Sequence, residues 1–348
     1  MRSMPTLHSL GLKVEDNQLY ILDQTMLPHQ ETWISVKNTD HMVEIIKKLQ
    51  VRGAPLIGVS AGLALAQSAH RGASLQQLQI EAKLLRESRP TAVNLMIVID
   101  RLITLLNQDV SSDRIISEAE NIFNEDVKLC LQMGENGAQL ISDGDNILHH
   151  CNTGGLATAG IGTALGVIQT AHLQGKRIHV YVDETRPLLQ GGRLTCYELE
   201  KMKIPYTLIC DNMVAHLMSL GKIQKVFVGA DRIAINGDFA NKIGTQGVAT
   251  LAHYFNIPFY TVAPYTTIDP DCHDGKDIPI EERKADEVRG ASGSFGDVIW
   301  SPKHAHVYNP AFDVTPGNII AGIVLDRGVF TRDQIRNGAL KQLFIDKK

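Results

Sequence analysis

The sequence predicts an α/β fold in which a Rossmann-like parallel sheet with helices on both faces follows a smaller, mainly helical domain with a short β-hairpin. Two observations predict this fold. Before about residue 125 the apolar residues recur mostly at helical spacing, whereas from residue 146 onward short β-branched runs alternate with helical patterns. Because such alternation is typical of βαβ units, we expect a mainly helical domain over residues 1–125 and a Rossmann-like α/β domain over 126–348.

The N-terminal elements follow from local patterns. Residues 19–22 and 32–36 are the strands of the predicted hairpin. Asp40 is expected to cap a helix that runs through Leu49, with Glu44 near the capping-box position. Longer amphipathic stretches predict further helices over 56–70, 74–87, 92–107 and 112–142.

The second part of the chain alternates between the two kinds of element. The β-branched runs predict strands over 147–150, 178–182, 206–209, 226–228 and 259–262. The patterns between and after them predict helices over 155–173, 192–202, 212–219, 241–254 and 316–326. Right-handed crossovers place the carboxyl ends of such strands at one edge of the sheet, where α/β proteins bind their ligands.

The composition is that of a soluble globular protein, because 44% of the 348 residues are apolar and 21% are charged. The net charge of −4 argues against a nucleic-acid-binding surface but allows a small anionic ligand. The longest weakly polar stretch, 154–168, is too short and too rich in Gly and Thr for a membrane span. No secretory signal is evident, and the five scattered cysteines form no Cys-x-x-Cys pair, so we expect a cytoplasmic protein.

Two residues after predicted strands carry reactive groups. Cys151 lies where a strand gives way to a helix, and the positive end of a helix dipole lowers the pKa of a thiol. Asp231 follows a buried strand, where partial desolvation raises the pKa of a carboxyl group and suits it to general acid catalysis. A buried structural cysteine, and an Asp231 that caps a helix or pairs with Arg232, are the alternatives.

Three basic residues lie beside predicted helix starts, where free N–H groups and a cation together suit a phosphate. They are Arg52, followed by Gly53 and Ala54; Arg89, within Ser88–Thr91; and Lys242, preceded by Asn241. Any one of them alone could equally be a surface charge.

Other ligand classes fit less well. The glycines at 160, 162 and 166 lie inside a predicted helix at the wrong spacing for a dinucleotide-binding turn. The clusters at 149–151 and 271–274 lack the spacing of structural zinc sites. We therefore expect neither a nicotinamide cofactor nor a metal.

Five segments resemble the signatures of one family, the S-methyl-5-thioribose-1-phosphate isomerases of methionine salvage. They are VRGAPLIGVSAGLALA, CNTGGLATAGIGTALGVI, DETRPLLQGGRLTCYEL, VGADRIAINGDFANKIGT and VYNPAFDVTPGNIIAGIV, which together cover most of residues 51–330. The family belongs to a superfamily with ribose-1,5-bisphosphate isomerases and with regulatory subunits of a translation-initiation exchange factor. Gly192 departs slightly from the family, which often has Ala or Ser there.

The resemblance implies catalytic roles for Cys151 and Asp231 in an aldose–ketose isomerase. It also implies substrate contacts at Arg52, Gly53, Ala54, Arg89, Gln190, Asn241 and Lys242, of which Gln190 comes from the resemblance only. It implies a homodimer without metal or organic cofactor. Two alternatives remain open: a sister isomerase acting on 5-deoxyribose 1-phosphate or ribose 1,5-bisphosphate, and a non-catalytic regulatory subunit.

In the reaction that this family implies, a phosphate on the anomeric carbon blocks the free aldehyde, so the ring has to be opened with help. We expect Asp231 to protonate the ring oxygen as general acid while hydrogen moves from C2 to C1. Proton abstraction by a Cys151 thiolate and a direct hydride shift both remain possible.

Overall fold

The computed structural model describes residues 2–89, 93–108 and 110–345. Over these residues the chain forms two compact units. The first comprises Met1–Leu129 and Gly155–Gly160, and the second comprises Cys130–Gly154 and Ile161–Lys348. The division at 125/126 stays a prediction about independently folding domains, because compactness alone does not test it.

The first unit begins with a small antiparallel sheet and continues as helices. Its strands pair in the order β1 (Leu7–His8), β2 (Leu12–Glu15), β3 (Gln18–Leu22) and β4 (Trp33–Ser35). The pairing of β3 with β4 confirms the predicted hairpin, which β1 and β2 extend. The helices are α1 (Thr39–Lys47), α2 (Ala54–His70), α3 (Leu75–Glu87), α4 (Val93–Leu106) and α5 (Ser112–Ala138), along which the chain passes into the second unit.

The start of α1 corrects one prediction. The side chain of Asn38 accepts a hydrogen bond from the N–H of His41 and caps the helix, whereas Asp40 lies inside the first turn. Both residue types favour the cap position, and the extended backbone of Asn38 decides between them. Asp40 still has a favourable place, because a carboxylate near a helix N-terminus interacts well with the dipole.

The second unit contains the larger sheet. Its strands are β5 (Asn146–His149), β6 (His179–Asp183), β7 (Tyr206–Ile209), β8 (Lys225–Val228), β9 (Arg232–Ala234), β10 (Phe239–Lys242), β11 (Phe259–Val262), β12 (Ile268–Asp269), β13 (Gly290–Gly293), β14 (Gly296–Ile299), β15 (Phe312–Thr315), β16 (Gly322–Leu325) and β17 (Gly328–Thr331). Its helices are α6 (Ala164–Leu173), α7 (Cys196–Met202), α8 (Val214–Ser219), α9 (Thr245–Tyr254), α10 (Asp286–Arg289), α11 (Arg332–Arg336) and α12 (Ala339–Ile345).

The larger sheet has the order β17-β16-β11-β8-β5-β6-β7. All neighbouring pairs in it are parallel except β16 with β17. The prediction of a Rossmann-like, mainly parallel sheet is therefore confirmed, and β5, an interior strand next to the central β8, has β6 on one side and β8 on the other. The carboxyl ends of these three strands lie at one edge.

Three of the predicted helices differ in the structure. The helix expected over 316–326 is wrong, because Gly322–Leu325 forms the fully buried strand β16, and a short apolar run buried on both faces has no period that separates strand from helix. The helix expected over 155–173 begins at Ala164, since 155–160 belongs to the first unit. The helix expected over 241–254 begins at Thr245, because Asn241 and Lys242 pair with β15.

Smaller sheets complete the second unit. One has the order β12-β9-β10-β15, and β13 pairs with β14 as a hairpin. None of the helices in the described part of the chain combines the length and the apolar character that a bilayer-spanning segment needs.

Candidate active site

Two neighbouring parallel strands lead into the residues with predicted catalytic roles. Ile147 of β5 pairs with Lys225 of β8, and His149 pairs with Phe227 two residues further along. Cys151 follows β5 and Asp231 follows β8, so both residues lie beyond the carboxyl ends of adjacent strands. Their separation of eighty positions along the chain (231 − 151) is therefore bridged by one parallel strand pair.

The backbone of Cys151 has an unusual conformation. Its φ angle is +68°, in the left-handed region that residues other than Gly seldom adopt. The Cys151 N–H donates to Oγ1 of Thr185 at 2.9 Å, and the Cys151 carbonyl accepts from Oγ1 of Thr195 at 2.6 Å. The residue is buried, with 8% of its surface exposed. Strained non-glycine backbone of this kind gathers at functional sites.

Asp231 lies at the start of a strand and not at the start of a helix. It is half-buried, and its N–H donates to the carbonyl of Ala240 at 2.8 Å. The strand β9 begins with the next residue, so the helix-cap alternative is wrong. Arg232 forms an ion pair with Asp269, at 3.4 Å between Nη1 and Oδ2.

The tandem histidines before Cys151 have opposite environments. His149 Nδ1 lies 2.8 Å from the carbonyl oxygen of Phe227, and His149 Nε2 lies 3.3 Å from Oγ1 of Thr153. A ring between a carbonyl and a hydroxyl group can stay neutral, donating to the first and accepting from the second. Burial lowers the pKa of His149 to about 4, so this ring is neutral at pH 7.

His150, by contrast, faces acceptors with both ring nitrogens. Nδ1 lies 2.8 Å from the Asp183 carboxylate, and Nε2 lies 2.9 Å from the carbonyl oxygen of Ile243. Burial opposes the charged ring, but the hydrogen bond and the negative charge of Asp183 outweigh it and raise the pKa of His150. The buried His150, which follows β5, thus forms hydrogen bonds with Asp183 at the end of β6 and with Ile243 just after β10.

His150, Asp183 and Asp211 also form the only group of possible metal ligands among the residues that the structure describes. Their hydrogen bonds argue against that use. Both His150 nitrogens point at acceptors, and the Asp211 oxygens accept from the N–H groups of Thr185 and Arg186, each at 2.7 Å. A histidine needs a free lone pair to ligate a metal, so this donor set fits a hydrogen-bond network better.

Gln190 lies at the start of a π-helical turn, Gly191–Thr195, that leads into α7. It is 5% exposed, and its side-chain oxygen has no hydrogen-bond partner. Buried acceptors without a donor are rare in native proteins, and a ligand hydroxyl group would satisfy this one. A Cβ at Gly192 would meet its nearest atom at 3.6 Å, so the larger residues common in the family would fit here.

Asn241 and Lys242 end the strand β10, and both are buried. The Lys242 amine donates to the carbonyl of Ala311 at 2.8 Å and lies 4.8 Å from the centre of the Phe312 ring. The Asn241 side chain donates to Oγ1 of Thr245 at 2.9 Å. A buried cation is costly unless it is paired, and the charge of Lys242 is close enough to Asp313 to oppose the rise that burial causes in the pKa of that carboxyl group.

The other predicted substrate contacts lie in the first unit. Gly53 precedes α2 with a φ angle of +92°, and a Cβ there would lie 2.4 Å from Cα of Ala157. The N–H of Leu56 donates to the carbonyl of Ala157 at 3.1 Å. Arg52 and Ala54, on either side of Gly53, are half-buried. The start of α2 is thus tied to the segment 155–160, which begins four residues after Cys151.

Arg89 lies after the end of α3, where Ser88 is the C-cap residue, and it is half-buried. Its predicted place at the start of a helix involves Pro90 and Thr91, which lie outside the described residues.

Sequence reasoning did not find the network around Cys151. Thr185, Thr195 and the pair of His150 with Asp183 were not singled out as parts of the site. Polar residues at the end of β6 were a weak signal, but threonines more than thirty positions away carry no local sign that they bond to the Cys151 peptide.

Comparison with known proteins is consistent with this architecture. The model of the initiation factor 2 subunit family matches residues 50–332. The chain is 54% identical to a methylthioribose-1-phosphate isomerase of Klebsiella pneumoniae over 97% of this chain and 98% of that protein. It is also 54% identical to the protein of the same name from Yersinia pestis, over 95% of this chain and 96% of that protein.

Two solved structures are similar to this chain over nearly its whole length. A crystal structure of 5-methylthioribose 1-phosphate isomerase from Pyrococcus horikoshii OT3 is similar with a TM-score of 0.89 and 38% identity over 97% of each chain. One of the delta subunit of translation initiation factor eIF-2B from A. fulgidus has a TM-score of 0.81 and 40% identity, covering 94% of this chain and 96% of that one. The chain belongs to the initiation factor 2 subunit family.

Proposed function

We propose that the chain is an aldose–ketose isomerase that converts S-methyl-5-thio-α-D-ribose 1-phosphate into S-methyl-5-thio-D-ribulose 1-phosphate. The names of the relatives support the substrate. The observation that carries the chemistry is the placement of Cys151 and Asp231 beyond the carboxyl ends of the adjacent parallel strands β5 and β8. The alternative substrates and the regulatory role find no support in these observations.

Asp231 acts as the general acid in this proposal. It gives its proton to the ring oxygen as the bond from that oxygen to C1 breaks. The hydrogen on C2 then moves to C1, and the C2 hydroxyl group loses its proton as the ketone forms, which restores the acid. Cys151, held by its backbone beside the reacting carbons, assists the transfer between C2 and C1.

The remaining site residues bind the sugar phosphate. The unpartnered oxygen of Gln190 accepts from a sugar hydroxyl group, which removes the cost of a buried, unsatisfied acceptor. Lys242 supplies a buried positive charge for the phosphate, with the Asn241 amide beside it. In the first unit we propose phosphate contacts from Arg52, from Arg89, and from the N–H groups of Gly53 and Ala54 at the start of α2.

We further propose that the enzyme works as a cytoplasmic homodimer in methionine salvage, without metal or organic cofactor. The five cysteines form no disulfide bond, which supports a reducing compartment. The hydrogen bonds that occupy His150 and Asp211 favour a reaction carried by side chains alone.

Turnover of the purified chain tests the proposal. We expect the ketose 1-phosphate as product, and a loss of about a thousandfold or more in kcat for Cys151→Ser and for Asp231→Asn, because general acid–base groups contribute about 10²–10⁴-fold. Cys272→Ser, at a buried cysteine that donates to the carbonyl of Asp274, and Asp143→Asn, in an exposed pair with Arg177, are the matched controls and should keep activity.

Retained turnover in Cys151→Ser or Asp231→Asn, with both controls active, would refute the assignment of roles. A larger kcat/KM on 5-deoxyribose 1-phosphate or ribose 1,5-bisphosphate would move the assignment to that sugar.

A further inference from the structure

We propose that Thr185 and Thr195 are positioning residues for this reaction, because their hydroxyl groups together hold the Cys151 peptide in its left-handed conformation. The inference rests on the proposed function and names residues that hold its cysteine in place. Neither threonine is placed in contact with the substrate; both act through Cys151.

The two hydroxyl groups bind opposite ends of the same residue. Thr185 Oγ1 accepts from the N–H of Cys151, and Thr195 Oγ1 donates to the carbonyl of Cys151. Both threonines have no exposed surface, so no water can replace these bonds when they are lost. A residue bonded at its N–H and at its carbonyl has little freedom to change its own φ and ψ angles.

The hydroxyl protons are directed by further bonds. Thr185 Oγ1 donates its proton to the carbonyl of Asp183 at 3.0 Å, which leaves its lone pairs for the Cys151 N–H. Thr195 Oγ1 accepts from the Asn152 amide at 3.3 Å, which leaves its proton for the Cys151 carbonyl. Since each hydroxyl group has one proton to give, both are arranged for their bond to Cys151.

Thr185 is itself held under strain to make its bond. Its φ angle is +64°, which is an outlier for a β-branched residue. The Asp211 carboxylate fixes its N–H at 2.7 Å. Gly191 leaves the necessary room, since a Cβ there would lie 1.7 Å from the carbonyl oxygen of Asp183 and 2.8 Å from Thr185 Oγ1.

Thr195 reaches Cys151 from a second irregular element. It is the last residue of the π-helical turn that Gly191 begins, and α7 starts at the next residue. Single π-helical turns occur often at functional sites. Two unfavourable backbone conformations, the left-handed Thr185 and the π-helical turn, thus place two hydroxyl groups within hydrogen-bond distance of Cys151. Side-chain packing alone would require neither conformation.

The experiment compares variants that remove only the hydroxyl group with variants that keep it. Thr185→Val and Thr195→Val preserve the shape of the side chain, and Thr185→Ser and Thr195→Ser preserve the hydroxyl group. Thr315→Val is the matched control, because Thr315 is equally buried in β15 and its hydroxyl group has no hydrogen-bond partner.

For each Val variant we expect kcat to fall about tenfold or more with KM changed less than threefold, because a displaced reactive group costs rate while the phosphate contacts remain. The Ser variants should recover kcat to within about threefold of the original chain, and Thr315→Val should keep it. Equal losses in the Val and Ser variants, or unchanged kcat in both Val variants, would overturn the proposal.

A crystal structure of each Val variant gives a readout that needs no turnover, and so separates this inference from the proposed function. We expect the φ angle of Cys151 to leave the left-handed region in at least one of them. A φ angle that stays near +68° in both overturns the proposal whatever the isomerase assay gives. If both Val variants fail to fold while both Ser variants fold, the hydroxyl groups serve folding, which also overturns it.

Discussion

At the scale of single residues, two adjacent histidines have different environments because they have different hydrogen-bond partners. His149 and His150 are adjacent and both buried, but His149 is the last residue of β5 and His150 lies just beyond that strand. His149 meets the carbonyl of Phe227 on β8, and His150 meets the carboxylate of Asp183 on β6. Burial lowers the pKa of His149, whereas the Asp183 carboxylate raises the pKa of His150 against the effect of its burial.

The neutral state of His149 predicts a pH dependence of stability. Its pKa is about 4 in the folded chain and 6.5 in the unfolded chain, so as the pH falls below 6.5 the unfolded chain takes up the proton first. The group therefore lowers the free energy of unfolding by about 3 kcal/mol between pH 7 and pH 4. In His149→Asn, whose amide can still donate to Phe227, we expect that part of the slope to disappear.

Urea titrations of the original chain and of His149→Asn across this pH range measure the slope. A difference in the free energy of unfolding that is the same at every pH would come from packing lost in the variant. Parallel curves from pH 7 to pH 4 would mean that His149 does not titrate between the two states as argued.

At the scale of elements, the helix α1 begins with a hydrogen bond from the N–H of His41 to the side chain of Asn38. The structure assigns the cap of α1 to Asn38 rather than to Asp40. We expect Asn38→Ala to lower the free energy of unfolding by about 1 kcal/mol, because the N–H of His41 loses its acceptor. Asp40→Ala is the control and should cost less than Asn38→Ala, near the lower end of the range of about 0.3–1 kcal/mol that is typical of an exposed charge near a helix N-terminus. The reverse order of the two losses in urea denaturation would restore Asp40 as the cap.

The start of α2 depends on a glycine. Gly53→Ala places a Cβ against the backbone of Ala157 in a left-handed conformation, so both a clash and strain oppose it. We expect a loss of about 3 kcal/mol or more in the free energy of unfolding.

Gly72→Ala separates the two causes, because Gly72 has a similar φ angle of +86° but nothing within 4 Å of its Cβ position. We expect about 1–2 kcal/mol there, from strain alone. Equal losses at the two glycines would show that the contact with Ala157 contributes nothing.

At the scale of the whole molecule, a parallel sheet gathers distant residues at one edge. Strands β5, β6 and β8 lead into the residues proposed for the reaction, and each comes from a separate stretch of sequence. The segment 155–160, which leaves the second unit just after the Cys151 loop and packs in the first, makes the first unit discontinuous in sequence.

The homodimer proposed above is a property of the whole molecule. Sedimentation equilibrium at micromolar concentration should give twice the mass of one chain. A single-chain mass over the whole range at which the enzyme is active would contradict it.

Much of this was predictable from local pattern. The five strands expected from β-branched runs are all present within one or two residues, because each run is short and bounded by turn residues. The placement of Cys151 and Asp231 after strands follows from the same runs. The strand β16 was missed, since a glycine and three apolar residues carry no period, and Gln190 came from family resemblance because an amide in a loop has no chemical signature of its own.

The sequence by itself determined the alternation of strands and helices, the parallel sheet that follows from it, and the position of Cys151 and Asp231 just after two of its strands. These depend on neighbours within a few positions, where periodicity and turn preference act. Only the tertiary structure decided in which direction the pKa of each histidine moves and which hydroxyl groups bond to Cys151, because the partners lie 33 to 78 positions away along the chain. The energy of a buried hydrogen bond depends on a donor and an acceptor meeting in space, and no local pattern encodes that meeting.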